Sequence, residues 1–243
     1  MKSYIIHFIR NMPCEGNLEG RYIGRTDSPL ATESIVRLAR MKREHPYPQA
    51  SRFFASPSTR CVDTLKILYP EADPEVVLEL AECDFGQWEN KTAQELQHDP
   101  RFRQWMEGGG QSAPPEGESS PVFVQRVCRG FEMLVQNLMA QGQSSPQQSA
   151  VSAALCAPAG VLTALLAAYG LPQAPFYDWM CQPGCGYSLR ITPGLWMRGQ
   201  VMEVFATLPQ GAGEGGADHL VLDLAREAAE RAYGKGLSPE AGS

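Results

Sequence analysis

Long apolar runs are missing from this 243-residue chain. None approaches the roughly 18 residues that a membrane span needs, so no membrane partner is expected. The opening Met1-Lys2-Ser3 leads straight into a strand pattern and lacks the build of a secretory signal. Histidine is scarce. The four present, His7, His45, His98 and His219, are too scattered to join cysteines as metal ligands. Cysteine numbers seven, an odd count that cannot pair completely within the chain, and a reducing cytoplasm is the expected location. Cys181 and Cys185 of "CQPGC" are the one close pair, and they read as loop and core residues. Neither a metal nor a cofactor is expected. Excess positive charge is absent too: the net charge of −6 argues against nucleic acid as a partner, though a local arginine cluster could still hold one small anion.

The 43% hydrophobic and 20% charged residues fit a globular domain. Strand and helix patterns alternate along the chain. "YIIHFI" (4–9), "RFFAS" (52–56), "EVVLEL" (75–80) and "AVSAALC" (150–156) read as strands. "ESIVRLARMKRE" (33–44), "STRCVDTLKILYP" (58–70) and "AGVLTALLAAYG" (159–170) carry helical apolar stripes. The longest helix pattern, 121–141, has Val124, Val127, Phe131, Leu134, Val135 and Leu138 on its apolar positions. "GYSLRIT" and "QVMEVFAT" read as a late strand pair, antiparallel in sense. The expected fold is a single three-layer α/β domain over residues 1–243, with a mostly parallel sheet and helices on both faces. A loop-rich insertion is expected around 90–120 and a C-terminal helix around 218–234. Ligands in such sheets sit beyond the carboxyl ends of the strands, which is where Arg10 lies.

The loop after that first strand resembles a known family. In "IRNMPCEGNLEGRYIGRTDSPL", Arg10, Asn17, Arg21, Gly24, Asp27, Pro29 and Leu30 fall in register with the first signature of the histidine phosphatase superfamily, the phosphoglycerate-mutase-like proteins. "ASPSTRCVDT" resembles the block that supplies a further phosphate-binding arginine, here Arg60. "LAECDFGQWENKT" resembles the block of the acidic proton donor, here Glu82. "PPEGESSPVFVQRV" and "PAGVLTALL" complete five blocks in order over residues 5–166. The resemblance implies a phosphate site formed by Arg10, Asn17, Arg21 and Arg60.

The departures from the pattern bear directly on chemistry. Where the family has its nucleophilic histidine this chain has Asn11; the next glycine is Met12, and the threonine two places on is Cys14. The second family histidine falls on Pro158. An imidazole nitrogen attacks phosphorus and carries the phosphoryl group. An amide nitrogen has its lone pair delocalised and cannot, and proline has no side-chain donor for charge on the transferring group. Loss of a nucleophile costs on the order of a million-fold in turnover. His7, about 13 Å from position 11 at roughly 3.3 Å per residue, reads as a core residue and not as a substitute. Cys14 and Cys156 are the other candidate nucleophiles. The main expectation is a degenerate member that retains a phosphate pocket for a phosphorylated small molecule or inorganic phosphate, or that has a regulatory role. The alternative is a working phosphomonoesterase or mutase, on α-ribazole phosphate or a phosphoglycerate, by a non-standard route with Glu82 as proton donor or base. A homodimer is left open.

Overall fold

A computed structural model describes residues 3–143 and 150–210. The chain enters β1 (Ser3–Arg10) and passes through α1 (Glu15–Leu18) and α2 (Thr32–Glu44) into β2 (Arg52–Ala55), α3 (Thr59–Leu68) and β3 (Glu75–Val76). Next come α4 (Ala93–Leu96), α5 (Pro100–Glu107), α6 (Ser120–Gln143), β4 (Ala150–Ala157), α7 (Ala159–Tyr169) and β5 (Gly170–Leu171). The chain then runs through β6 (Gly186–Ile191), α8 (Pro193–Gly199) and β7 (Met202–Leu208). The seven strands form one sheet in the order β3-β2-β4-β1-β6-β7-β5. β1, β2, β3 and β4 pair in parallel, and β6 runs antiparallel to both β1 and β7. This is the single α/β domain with a mostly parallel sheet that the alternating pattern implies. Among the described residues no helix is long and apolar enough to cross a membrane.

The two-residue period of the strands divides the core. Tyr4, Ile6 and Phe8 of β1 and Ala153, Leu155 and Ala157 of β4 face α6 and α7. Ile9, Ala154 and Cys156 point the other way, toward Leu38 of α2 and Cys61, Leu65 and Leu68 of α3. Both faces are covered, which is why β1 and β4 read as unbroken apolar runs. α6 presents Phe123, Val127, Phe131, Leu134 and Leu138 to the first core. Phe131 meets Phe8 edge-on at 5.5 Å between ring centroids and stacks against Tyr169 at 6.1 Å. α7 is apolar nearly all round because it is buried nearly all round.

Two expectations need correction. The strand read over "EVVLEL" pairs only at Glu75 and Val76. The chain then tightens into a 3₁₀ turn at Leu78–Leu80, because Leu80 is carried inward onto α6 while Leu78 stays 69% exposed. The insertion read as loop-rich holds α4 and α5 and an aromatic cluster of its own, Trp88, Phe102 and Trp105, with Tyr22 and Phe85 packed on it. The C-terminal helix expected at 218–234 lies outside the described residues.

His7 lies in the middle of β1, buried, with Nδ1 2.9 Å from Ser188 Oγ and Nε2 3.1 Å from Ser152 Oγ. Ser152 Oγ donates to the Gln49 carbonyl, so it accepts from Nε2–H, and Nδ1 accepts from Ser188. The imidazole is thereby satisfied as a neutral ring, and burial lowers its pKa to about 4.

A base with a depressed folded pKa favours the fold where it is uncharged. Its contribution is therefore complete above the unfolded value near 6.5 and is lost as pH falls toward 4. Urea unfolding across that window should show a loss on the order of 3 kcal/mol in the wild type and a flatter profile in His7→Gln. Phe131→Ala is expected to cost about 3–5 kcal/mol, read as a lower urea midpoint at unchanged slope.

Candidate phosphate site

The site is set by the level at which two neighbouring strands stop. Arg10 of β1 pairs with Ala157 of β4, so Asn11 and Pro158 follow side by side at the carboxyl end of the sheet. The Asn11 N–H donates to the Ala157 carbonyl at 3.2 Å. Beyond them lies a cavity of about 240 Å³ lined by Arg10, Asn11, Asn17, Arg60, Glu82 and Pro158. Apart from the neighbours Arg10 and Asn11, these residues come from separate stretches of the chain, and only the fold brings them together.

Arg10 is held at both ends by the turn that carries "CQPGC". Its N–H donates to the Cys185 carbonyl at 2.8 Å, its carbonyl accepts from Gly184 N–H at 2.9 Å, and its guanidinium donates to the Cys181 carbonyl. Pro183 of the same turn lines the cavity. Sequence reasoning missed this turn as part of the site. Its cysteines read as loop and core residues, and nothing local said which strand end the segment would meet.

Arg60 is only 2% exposed and sits in the first turn of α3. Its guanidinium donates to three carbonyls of one loop, Ile23 and Gly24 at 3.2 Å each and Thr26 at 3.3 Å. That loop is fixed from below by Glu89. The Glu89 carboxylate accepts from the N–H groups of Gly24, Arg25, Thr26 and Phe85 and from the Thr26 hydroxyl. Burial pushes the Glu89 carboxyl up, but these hydrogen bonds outweigh it and hold its pKa below the usual range. Gly24 must be glycine, since a Cβ there would lie 1.9 Å from the Cys83 carbonyl oxygen. Asp27 ties the loop to α3, accepting from the Thr59 N–H at 2.9 Å and the Thr59 hydroxyl at 2.6 Å.

Glu82 stands opposite, half-buried against the start of α7. Its Oε1 accepts from Cys83 N–H at 2.8 Å, and the Gly160 N–H adds a favourable interaction with the charged carboxylate. A Cβ on residue 160 would come within 2.6 Å of Oε1, so Gly160 makes the room. Burial raises the Glu82 pKa, and the two N–H groups and the Arg60 charge offset only part of that rise.

The remaining sequence candidates divide. Asn17 lines the cavity, and its Oδ1 accepts from the Cys14 N–H and thiol, closing the loop on itself. Arg21 does not line it. Its guanidinium donates to Glu19, Glu95 and the Asn90 carbonyl, bracing the loop against the insertion. Asn11 is buried, its Nδ2 donating to the Met12 carbonyl at 2.7 Å. Met12 turns its side chain into the second core and leaves the cavity to its neighbours. Cys156 is wholly buried, and burial together with its contact to Cys61 pushes its thiol well above the ordinary value, so it offers no thiolate. Among the described residues no cluster of three or more His, Cys, Asp or Glu could hold a metal. A larger cavity, about 800 Å³, lies along α2 between Pro13, Leu18, Ala31, Val36 and Arg40. Its charged lining, Glu15, Glu33, Arg37 and Arg40, is exposed helix surface away from the strand ends, and the smaller cavity at those ends is the site on chemical grounds.

The family model of the histidine phosphatase superfamily (branch 1) matches residues 6–200. The adenosylcobalamin/alpha-ribazole phosphatase of Salmonella typhimurium is 25% identical over 196 residues, covering 76% of this chain and 90% of that protein. The crystal structure of the alpha-ribazole phosphatase from Shigella flexneri superposes with a TM-score of 0.69 at 21% identity, covering 87% of this chain and all (100%) of that one. A crystal structure of the protein TTHB049 from Thermus thermophilus superposes with a TM-score of 0.58 at 25% identity, over 84% and 98% of the two chains.

Replacing Glu89 with Gln should cost about 1–2 kcal/mol, since it removes the charge from a set of part-buried hydrogen bonds. Because the same loop supplies the carbonyls that orient Arg60, Glu89→Gln should also shrink the rise in melting temperature produced by phosphate. Both effects are read in one thermal-shift titration.

Proposed function

The chain belongs to the histidine phosphatase superfamily, and from that premise we propose that the cavity holds the phosphate of a small phosphomonoester. The observation that carries this reading is the convergence of Arg10, Arg60 and Asn17 on one cavity that also contains a carboxyl group. A guanidinium has five donors in a planar fork, suited to a tetrahedral anion. Arg10 commits a donor to one carbonyl and Arg60 bonds to three, so both are oriented before a ligand arrives. Inorganic phosphate would use the same donors.

On this reading the ligand is bound without formation of a phosphohistidine. Asn11 has no nucleophilic lone pair, and Pro158 offers no side-chain donor at the place beside it. The protein then works by holding a phosphorylated metabolite, as a binding or regulatory protein.

A second reading is favoured by the relatives, whose names describe phosphatases of α-ribazole, and by Glu82. A carboxyl whose pKa is raised by burial is suited to give a proton to a leaving oxygen. Water would attack phosphorus directly, the bond from phosphorus to the alcohol oxygen would break as that oxygen takes the Glu82 proton, and the proton brought by the water would stay on the phosphate formed until it returns to Glu82. The substrate would be a phosphomonoester of the α-ribazole type.

Millimolar phosphate should raise the melting temperature, because a ligand held only by the native state stabilises it by mass action. The rise should fade at high salt and be lost in an Arg10→Ala/Arg60→Met double variant. Turnover of generic phosphomonoesters should match that of an Arg10→Ala control. Robust hydrolysis abolished by both Arg10→Ala and Glu82→Gln would replace the binding reading with the hydrolytic one.

A further inference from the structure

Glu82 reaches the cavity from a stretch of chain that is neither helix nor strand. In and after the 3₁₀ turn at Leu78–Leu80, the carbonyls of Glu79, Ala81 and Glu82 turn toward α6, and one side chain there serves all three. Arg126 donates from Nη1 to the Glu79 carbonyl at 2.6 Å and the Ala81 carbonyl at 3.0 Å, and from Nη2 to the Glu82 carbonyl at 3.3 Å. Its other edge forms a fork on Glu118, Nε to Oε1 at 2.9 Å and Nη2 to Oε2 at 2.6 Å. A guanidinium has five N–H donors, and all of them are engaged here, so Arg126 keeps none for a ligand.

Glu118 grips the chain on the other side of Glu82. Its N–H donates to the Asp84 carbonyl at 2.8 Å, so the ion pair is tied to residues both before and after Glu82. Gly130, one turn further along α6, lets the helix approach: a Cβ there would lie 2.3 Å from Glu79 Cβ. Stability alone does not call for this arrangement. Taking two charges out of water is costly, and apolar residues of similar volume often serve the fold as well. A cavity of about 390 Å³ borders Glu79 and Arg126, wide enough for water to bond such carbonyls instead. What the ion pair adds is a fixed place for the residue between its two arms.

We propose that Arg126 is the positioning residue for Glu82: gripping the Glu82 carbonyl, with Glu118 as its counter-charge, it holds the carboxyl at the wall of the phosphate cavity and out of bulk water. The carbonyl and the side chain leave the same residue, so fixing the first leaves the second only its χ angles, and the Cys83 N–H on Oε1 restrains those. Arg126 touches no ligand and acts only through Glu82. This assignment rests on the phosphate site proposed above and adds what keeps the carboxyl of that site in place. The groups that face Glu82 are Arg60 from α3, Arg126 from α6, the Gly160 N–H from α7 and the neighbouring Cys83 thiol. Burial pushes that thiol up to about 12, so it stays uncharged.

The test follows the Glu82 carboxyl by carbon-13 NMR of the full chain from about pH 8 to about pH 4, its resonance identified by its loss in Glu82→Gln. In the wild type it should titrate above the ordinary glutamate value, as its burial requires. Arg126→Lys keeps the charge and loses the fork, while Arg126→Met loses both. A carboxyl released by either change turns into water, and its midpoint should fall toward the ordinary 4.5 in both variants. An arginine that acted by charge alone would leave the midpoint in place in Arg126→Lys and raise it in Arg126→Met; one that only braced the fold would lower the melting temperature and move neither midpoint. Either result would overturn the proposal. Glu118→Gln, which keeps the shape of the pair, should show the same fall in smaller measure, and an unmoved midpoint there would overturn it too if the Arg126 variants do not fold. Sulfate, a dianion across this range, probes the cavity in parallel: wild-type affinity should drop a few-fold as Glu82 ionises, and less in Arg126→Lys. Absence of sulfate binding at every pH would overturn the phosphate site, whereas the carboxyl titration needs no ligand and judges Arg126 separately.

Discussion

Two adjacent parallel strands, β1 and β4, end level with one another, and Arg10, Asn11 and Pro158 take their positions in the cavity from that shared end. One-residue slippage would turn Ile6 and Phe8 out of the α6 face and destroy the packing on both sides of the sheet. The register that places Asn11 opposite Pro158 is therefore enforced by apolar packing far from the cavity. Arg10 inherits the same precision, since its backbone is bonded on both sides to the 181–185 turn. The site is rigid because the core is.

Electrostatics then acts on this frame in layers. Glu89 gathers loop N–H groups, the loop turns its carbonyls outward, and those carbonyls orient the Arg60 guanidinium. Negative charge thus acts on positive charge through a stretch of oriented backbone, without direct contact. Glu82 faces the same guanidinium across the cavity while its Oε1 is engaged by the Cys83 N–H. Neither Asn11 nor Pro158 contributes a charge or a side-chain hydrogen bond to this arrangement.

Much of this was legible in the sequence. Unbroken apolar runs at 4–9 and 150–156 announced buried parallel strands, and the stripe of α6 was visible at helical spacing. Arg10, Arg60 and Glu82 were found because each falls in register with a block of the family that the sequence resembles. What escaped was non-local. Arg21 matched the motif as well as Asn17 did, yet Glu19 and Glu95 hold it away from the cavity, and Glu95 lies far along the chain. Glu89 was not singled out, because its five-donor shell depends on Gly24 passing close under Cys83. The brevity of β3 follows from the demand of α6 for Leu80, which no local pattern reveals.

The buried guanidinium of Arg60 has a consequence for the evolution and engineering of the chain. It is a full positive charge at 2% exposure with carbonyl dipoles for company, and no carboxylate lies within ion-pair distance of it among the described residues. Such a charge is costly to desolvate, and an apolar side chain of similar volume often replaces one without loss of stability, or with a gain. Drift toward a more stable protein would therefore remove Arg60 readily if nothing opposed it. The cation is kept at a cost in stability, and replacing it with an apolar residue of similar volume is a route to a more stable chain.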